Sequence, residues 1–232
     1  MALGVASSCC AFGVLAAPAM GQNLIVNPSF EDTTVTGTEF NLPNADFTAA
    51  MGAATAFGDR VVSGGTQMGE LDIMDSFSGF GPDPIEGLWK VGLAHDVGDL
   101  GVDAVSLDLL SPIEAGTLYQ LSFAGVSLTS VRPDEAPLQI GISDVPDAFG
   151  TAALTTDAIR GGTWQRFSYE FIATTNGDYL TVAGTDGLAA WTHLDDFSLP
   201  CATADRVGRQ RGRAERVGHI TDADLQWSLV GA

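Results

Sequence analysis

Short runs in which apolar and polar residues alternate recur between residues 23 and 199, and this pattern limits most strongly what the chain can fold into. The clearest runs are residues 105–109, 119–123, 138–142, 167–171 and 180–182. A period of two places the apolar side chains of a strand on one face and the polar ones on the other. No segment shows a sustained 3.6-residue apolar period. The sequence therefore predicts an all-β protein, built as a two-sheet antiparallel β-sandwich.

Composition excludes one class of partner. The chain has 232 residues, of which 45% are hydrophobic, so it can bury a substantial core. Its 29 acidic residues against 10 basic ones give a net charge of −19, which repels the phosphate backbone of nucleic acids. DNA and RNA are therefore not expected as partners. An acidic chain with only three histidines suits hard, oxygen-ligated cations better than transition metals.

The N-terminal segment predicts export. Residues 1–22 carry no charged side chain and include Ala17-Pro18-Ala19, which has the form of a signal-peptidase site. The apolar stretch is too short and broken for a membrane span, and lipidation at Cys9 or Cys10 is a less well matched alternative. We expect a secreted or cell-surface protein. After cleavage only Cys201 remains, so no intrachain disulfide is expected.

The C-terminal segment differs in character from the rest. Residues 200–232 are rich in arginine between residues 206 and 216, and we expect a tail that lies outside a sandwich of residues 23–199. Residues 213–224 partly resemble an EF-hand calcium loop. Arg213 and Val217 stand where oxygen ligands are needed, so calcium binding is not expected there.

Aromatic residues outside the alternating runs are the candidates for ligand binding. Trp191, Phe77 and Phe80 could stack on a sugar ring, because an apolar platform flanked by polar groups suits the face of a pyranose. Core packing is the competing interpretation for all three. Trp89 and Trp164 are expected to be core residues, since Trp89 shares its parity with apolar neighbours and Trp164 opens a core strand.

The two ends of the expected sandwich carry a resemblance. Residues 23–31 (NLIVNPSFE) and 191–199 (WTHLDDFSL) resemble the first and last strands of galactose-binding-like β-sandwiches, and the segments 86–94, 115–123 and 164–171 follow in the same order. This group includes carbohydrate-binding modules of bacterial glycosidases. The resemblance implies a jelly roll whose terminal strands are neighbours. It also implies an exported, non-catalytic domain that binds a polysaccharide or another glycan.

The same resemblance implies a metal. In the family, the glutamate of the opening motif and the aspartate of the closing motif hold a structural calcium ion, which carries over to Glu31 and Asp195, with Asp196 beside them. From the residues alone, these acids are better explained as a strand-end acid and a solvated turn pair. Because a fold does not fix a function, an adhesive or structural domain without a sugar site is the second interpretation.

One motif favours an enzyme instead. Glu70, Asp72 and Asp75 are spaced as in the active-site strand of jelly-roll β-glucanases, where a bulge returns the third acid to the face of the first two. They would act as nucleophile, assisting acid and general acid/base of a retaining glycosidase. Asp75 is shorter than the usual glutamate and the flanks are poor in aromatics, so we expect no catalysis. His95, His193 and His219 are isolated and lack the spacing of a zinc site.

Overall fold

The computed structural model describes residues 21–58, 61–62, 66–67, 71–95 and 101–200. Strands dominate this part of the chain. The elements, in chain order, are β1 (Glu39–Leu42), α1 (Asn44–Ala50), β2 (Ala54–Ala56), β3 (Val61–Val62), β4 (Thr66–Gln67), β5 (Leu71–Asp75), β6 (Trp89–Ala94), β7 (Ala104–Ile113), β8 (Leu118–Ser127), β9 (Gln139–Ser143), β10 (Thr151–Thr155), β11 (Gln165–Ile172), β12 (Gly177–Ala183) and β13 (Trp191–Ser198).

Two antiparallel sheets form the body of the protein. A six-stranded sheet has the order β1-β5-β6-β13-β8-β11 and a five-stranded sheet has the order β10-β9-β12-β7-β2, while β3 and β4 form a separate pair. The two sheets face each other across one apolar core, which confirms the predicted β-sandwich. Core side chains of the six-stranded sheet include Leu71, Ile73, Val91, Leu93, Leu121 and Phe123, and those of the five-stranded sheet include Val105, Leu107, Ile140, Ile142, Leu180 and Val182.

The alternating runs became strands as predicted, within β7, β8, β9, β11 and β12. The helix α1 was not predicted. It spans seven residues, begins after Pro43 and buries only Phe47. A helix of two turns with a single buried side chain shows no apolar period, so the pattern that identifies longer helices was missing.

The two ends of the sandwich lie side by side. Asn23 and Pro200 form a β-bridge, and the backbone N–H of Leu24 donates to the carbonyl of Leu199 at 3.2 Å. The side-chain amide of Asn23 donates to the carbonyl of Phe197 at 3.0 Å, and its oxygen accepts the N–H of Leu199 at 2.8 Å. The expectation that the chain ends are neighbours is confirmed, but residues 23–31 form isolated bridges and not the expected first strand.

Several predictions concern residues outside the described part of the chain. The signal peptide apart from residues 21 and 22, Cys9, Cys10, Cys201, the Arg-rich tail and Glu70 all fall there. These stay predictions. In the part that is described, no helix has both the length and the apolar character to cross a membrane.

Candidate functional site

A cavity of about 240 Å³ opens on the outer face of the six-stranded sheet, the face turned away from the core. Alternation along β5 sends Leu71 and Ile73 into the core and Asp72 to this outer face. The cavity is lined by Phe40, Asn41, Asp72, Phe80, Ala94, Val131, Arg132 and Trp191. It thus joins residues from β1, β5, β6 and β13 with two loops.

Three aromatic rings form the apolar part of the cavity. The ring centroids of Phe40 and Phe80 are 5.1 Å apart, and those of Phe80 and Trp191 are 5.7 Å apart. Phe40 is 38% exposed and Phe80 is 40% exposed, whereas Trp191 is nearly buried and packs on Met74. The structure therefore brings together two of the three predicted stacking residues. The third, Phe77, is 88% exposed and does not line the cavity.

Asp72 holds two walls of the cavity in place. Its Oδ2 accepts the indole N–H of Trp191 at 2.8 Å, and its Oδ1 accepts the backbone N–H of Asn41 at 2.7 Å. Asn41 has a φ of 54°, a left-handed conformation that costs energy in most residues but less in asparagine. Gly92 lies beneath this contact, where a Cβ would be 2.7 Å from Asp72 Oδ2. The missing side chain of Gly92 is what lets the carboxylate meet the indole.

Arg132 reaches the cavity from the turn after β8. Its guanidinium donates to the carbonyl of His95 at 2.9 Å. The ring of His95 is itself fixed, with Nδ1 accepting the N–H of Thr185 at 2.9 Å and Nε2 lying 3.1 Å from the hydroxyl of Thr192. Burial lowers the pKa of His95 to about 4, so the ring stays neutral. His95 therefore has a structural role: its fixed position provides the carbonyl that holds Arg132.

Residues 76–88, which link β5 to β6 and are called the strap below, lie across the outer face of the sheet. The ammonium of Lys90 donates to the carbonyls of Phe80 at 2.8 Å and Pro82 at 2.6 Å. The indole N–H of Trp164 donates to the carbonyl of Asp83 at 2.6 Å. The expectation that Trp164 is a core residue is wrong: it is only partly buried and is not among the side chains that pack against the core. Trp89 does pack against the core as expected.

Two of the predicted metal ligands also hold the strap. Oε1 of Glu31 accepts the N–H groups of Leu88 and Trp89, each at 2.9 Å. Oδ2 of Asp195 accepts those of Ile85 at 2.7 Å and Glu86 at 3.1 Å. Burial raises the pKa of Asp195 to about 7, although these N–H donors act in the opposite direction. Acids from opposite ends of the chain therefore converge on one segment.

The third predicted ligand faces elsewhere. Asp196 has a φ of 52°, at the irregularity of the β13–β8 register, and its carboxylate pairs with Arg166 at 2.5 Å. In the described part of the chain, no three His, Cys, Asp or Glu side chains are grouped to hold a metal ion. Carboxylate oxygens are the donors that calcium prefers, but here Glu31 and Asp195 meet N–H groups. A calcium ion bound here would compete with these donors and would need further oxygen ligands, for example backbone carbonyls.

The β-glucanase arrangement depends on a bulge that β5 lacks. The pairing of β5 with β6 runs unbroken from Asp72 opposite Gly92 to Asp75 opposite Trp89. Residues three apart on a regular strand lie on opposite faces, so the carboxylates of Asp72 and Asp75 point apart. Both oxygens of Asp72 also accept the bonds given above. Glu70 lies outside the described residues.

Comparison with known proteins returned solved structures alone, since no family model and no curated protein matches the chain. A xylan-binding module, CBM22-1 of Xyn10C from Paenibacillus barcinonensis, has a TM-score of 0.44 at 14% identity, covering 81% of this chain and 99% of that one. TmCBM61, solved with β-1,4-galactotriose, has a TM-score of 0.41 at 15% identity, covering 78% and 99%.

A different kind of protein is similar to the same extent. The K1 cleaved adhesin domain of Lys-gingipain from Porphyromonas gingivalis has a TM-score of 0.42 at 15% identity, covering 75% of this chain and 96% of that one. The resemblance expected from the end motifs is thus found again among solved structures. At these identities and TM-scores, the likenesses say nothing of what this chain binds.

Proposed function

We propose that this protein binds carbohydrate, a polysaccharide or another glycan, through the cavity lined by Phe40, Phe80 and Trp191. The observation that carries the proposal is the meeting of these rings with Asp72 and Arg132 in one cavity. The apolar face of a pyranose stacks on aromatic rings, while its hydroxyls bond to carboxylate, amide and guanidinium groups. The cavity offers aromatic rings and polar groups of both kinds side by side.

In this proposal the protein is a binding module and not an enzyme. A retaining glycosidase needs two carboxyl groups about 5–5.5 Å apart on either side of the scissile bond. Asp72 and Asp75 lie on opposite faces of β5, and Asp72 is only 4% exposed and already bonded through both oxygens. These observations support its role in holding the cavity together. Export, with residues 1–22 removed, remains part of the proposal.

Calcium is a separate proposal, with Glu31 and Asp195 as side-chain ligands. Its support is that both acids contact the same segment and that the chain carries a charge of −19, which a bound cation would reduce. The competing account is that the N–H bonds of the strap satisfy these carboxylates without a metal. Thermal unfolding in EDTA and in calcium separates the two accounts.

A glycan array tests the proposed function. The wild-type protein should bind one class of saccharide without hydrolysing it, and Phe40→Ala and Phe80→Ala should each weaken that binding about tenfold, the effect of losing ~1.4 kcal/mol of stacking. Leu110→Ala is the matched control, because Leu110 is a 54% exposed apolar residue on β7, in the other sheet. Turnover of a β-glucan would favour the enzyme. Absence of both binding and turnover would favour the adhesive or structural interpretation.

A further inference from the structure

We propose that the cavity takes the end of a glycan chain, one or two sugar rings, and not an internal stretch of a longer chain. This inference rests on the proposed function, since it specifies the kind of ligand that the same cavity accepts. A saccharide bound in mid-chain must leave its site at both ends. A cavity that is closed on the side where the chain would leave can therefore accept only a chain end.

The strap closes one side against the turn after β8. Gly81 of the strap has a φ of 68°, and a Cβ placed on it would be 2.7 Å from Leu128 Cδ2 and 3.2 Å from His193 Nδ1. The backbone of the strap therefore lies directly on these two side chains. Leu128 begins the turn that presents the cavity residues Val131 and Arg132, both of whose N–H groups donate to its carbonyl. No sugar ring fits between strap and turn at this point.

The strap closes a second side against β1. Phe80 of the strap and Phe40 of β1 touch edge to face, with centroids 5.1 Å apart. Trp191 lies against both rings and forms the floor between them. The aromatic trio is thus a continuous wall as well as a stacking surface.

The strap is fixed along its length, so these walls are permanent parts of the molecule. Lys90, Trp164, Asp195 and Glu31 bond to it in turn, from Phe80 at one end to Leu88 at the other. Buried side chains of the sheet lie directly beneath the strap. His193 is one of them: it is fully buried, and neither ring nitrogen has a hydrogen-bond partner among the described residues.

The volume of the cavity also supports a short ligand. Its volume of about 240 Å³ is smaller than the ~300–1,000 Å³ of pockets that hold drug-sized ligands. About one or two sugar rings fill a space of this size, whereas four or more rings in a row require a groove that continues beyond the cavity. The strap blocks such a groove on the side of Phe80 and Gly81.

A length series tests the inference. Glycans from the array class that binds best, or β-1,4-linked glucose, xylose and galactose oligomers of one to six units, are titrated calorimetrically into the full-length protein. We expect the Kd to reach its final value at the disaccharide and to change less than about twofold from there to the hexasaccharide. A Kd that falls tenfold or more between disaccharide and hexasaccharide would overturn the inference and leave the proposed function standing. Absence of binding to every glycan would overturn both.

Two glycines of the strap provide a matched pair for the wall itself. Gly79 and Gly81 both have positive φ, at 71° and 68°, so alanine strains the backbone equally at each. A Cβ at Gly79 meets nothing within 4 Å, whereas one at Gly81 collides with Leu128. Gly81→Ala should force the strap and the side chain of Leu128 apart and make the hexasaccharide bind several-fold tighter than the disaccharide, while Gly79→Ala keeps the wild-type plateau. The same length dependence in both variants would refute the role of the strap as a wall.

Discussion

The strongest prediction about stability concerns Lys90, because its buried ammonium links the strap to the sheet through hydrogen bonds. The side chain is only 1% exposed and donates to the carbonyls of Phe80 and Pro82. It also interacts favourably with the carboxylates of Asp83 and Asp195. Lys90→Met keeps an unbranched side chain one heavy atom shorter and removes the charge and both hydrogen bonds.

The expected cost follows from these contacts. Hydrogen bonds from a charged donor contribute ~1.5–3 kcal/mol each, so the loss of both costs ~3–6 kcal/mol. Part of this loss is offset, because the variant no longer buries an ammonium. We expect Lys90→Met to lower the free energy of unfolding by about 3 kcal/mol at pH 7, a Tm loss of roughly 6–12 °C for a domain of this size.

Urea unfolding followed by circular dichroism measures this change. Arg160→Met is the matched control, since it removes a cation from an exposed position and should alter stability by less than about 0.5 kcal/mol. Equal stability of Lys90→Met and Arg160→Met would refute the conclusion that Lys90 anchors the strap.

The pH dependence of the same variant gives an independent check. Burial lowers the pKa of Lys90 from 10.5 to about 8. Between these two values the unfolded chain binds one proton more than the folded chain, so the contribution of Lys90 to folding becomes more favourable as the pH rises. The difference in stability between the wild type and Lys90→Met should therefore widen from pH 8 towards pH 10. A difference that narrows or stays constant would contradict a folded-state pKa that burial lowers.

Three further predictions concern the walls, the metal and the domain. Asp72→Asn should raise the Kd for the glycan while lowering the Tm only slightly, because it releases the indole of Trp191 or the end of β1. An unchanged Kd in calorimetry would refute the positioning role of Asp72. If calcium binds, EDTA should lower the Tm and calcium should restore it, with Glu31→Gln or Asp195→Asn abolishing the response and Asp222→Asn in the tail leaving it intact; an EDTA-insensitive melting curve would favour hydrogen bonds alone. A fragment of residues 23–199 should unfold cooperatively, and loss of its cooperative transition would place the tail in the core.

The sheets could be predicted because their signal is local. In β7, β8 and β11, apolar side chains alternate with polar ones along the strand itself, and such a strand buries one face wherever it lies. Trp164, which begins an alternating run, shows where the local signal fails. Its position suggested core packing, but a carbonyl of the strap, 81 residues away along the chain, accepts its indole N–H.

The cavity could be predicted only in part because it is assembled from distant segments. Trp191 and Phe80 stood out as aromatic residues beside polar ones, and the structure brings them together. Phe40 comes from a segment without a regular pattern, and Arg132 is carried by a turn, so neither had a local signal. Asp72 stood out only as a possible catalytic acid. Its contacts with Trp191 and Asn41 depend on strand pairings that no sequence spacing reveals.

Calorimetric titration of the best-bound array glycan into the wild type, Phe40→Ala and Leu110→Ala is the most direct test of carbohydrate binding at this cavity. Both alanine variants remove a partly exposed apolar side chain, one inside the cavity and one on the opposite sheet. We predict that the wild type and Leu110→Ala bind with the same Kd and that Phe40→Ala binds about tenfold more weakly. Equal affinity of all three proteins, or the absence of any glycan that the wild type binds, would contradict the proposed site.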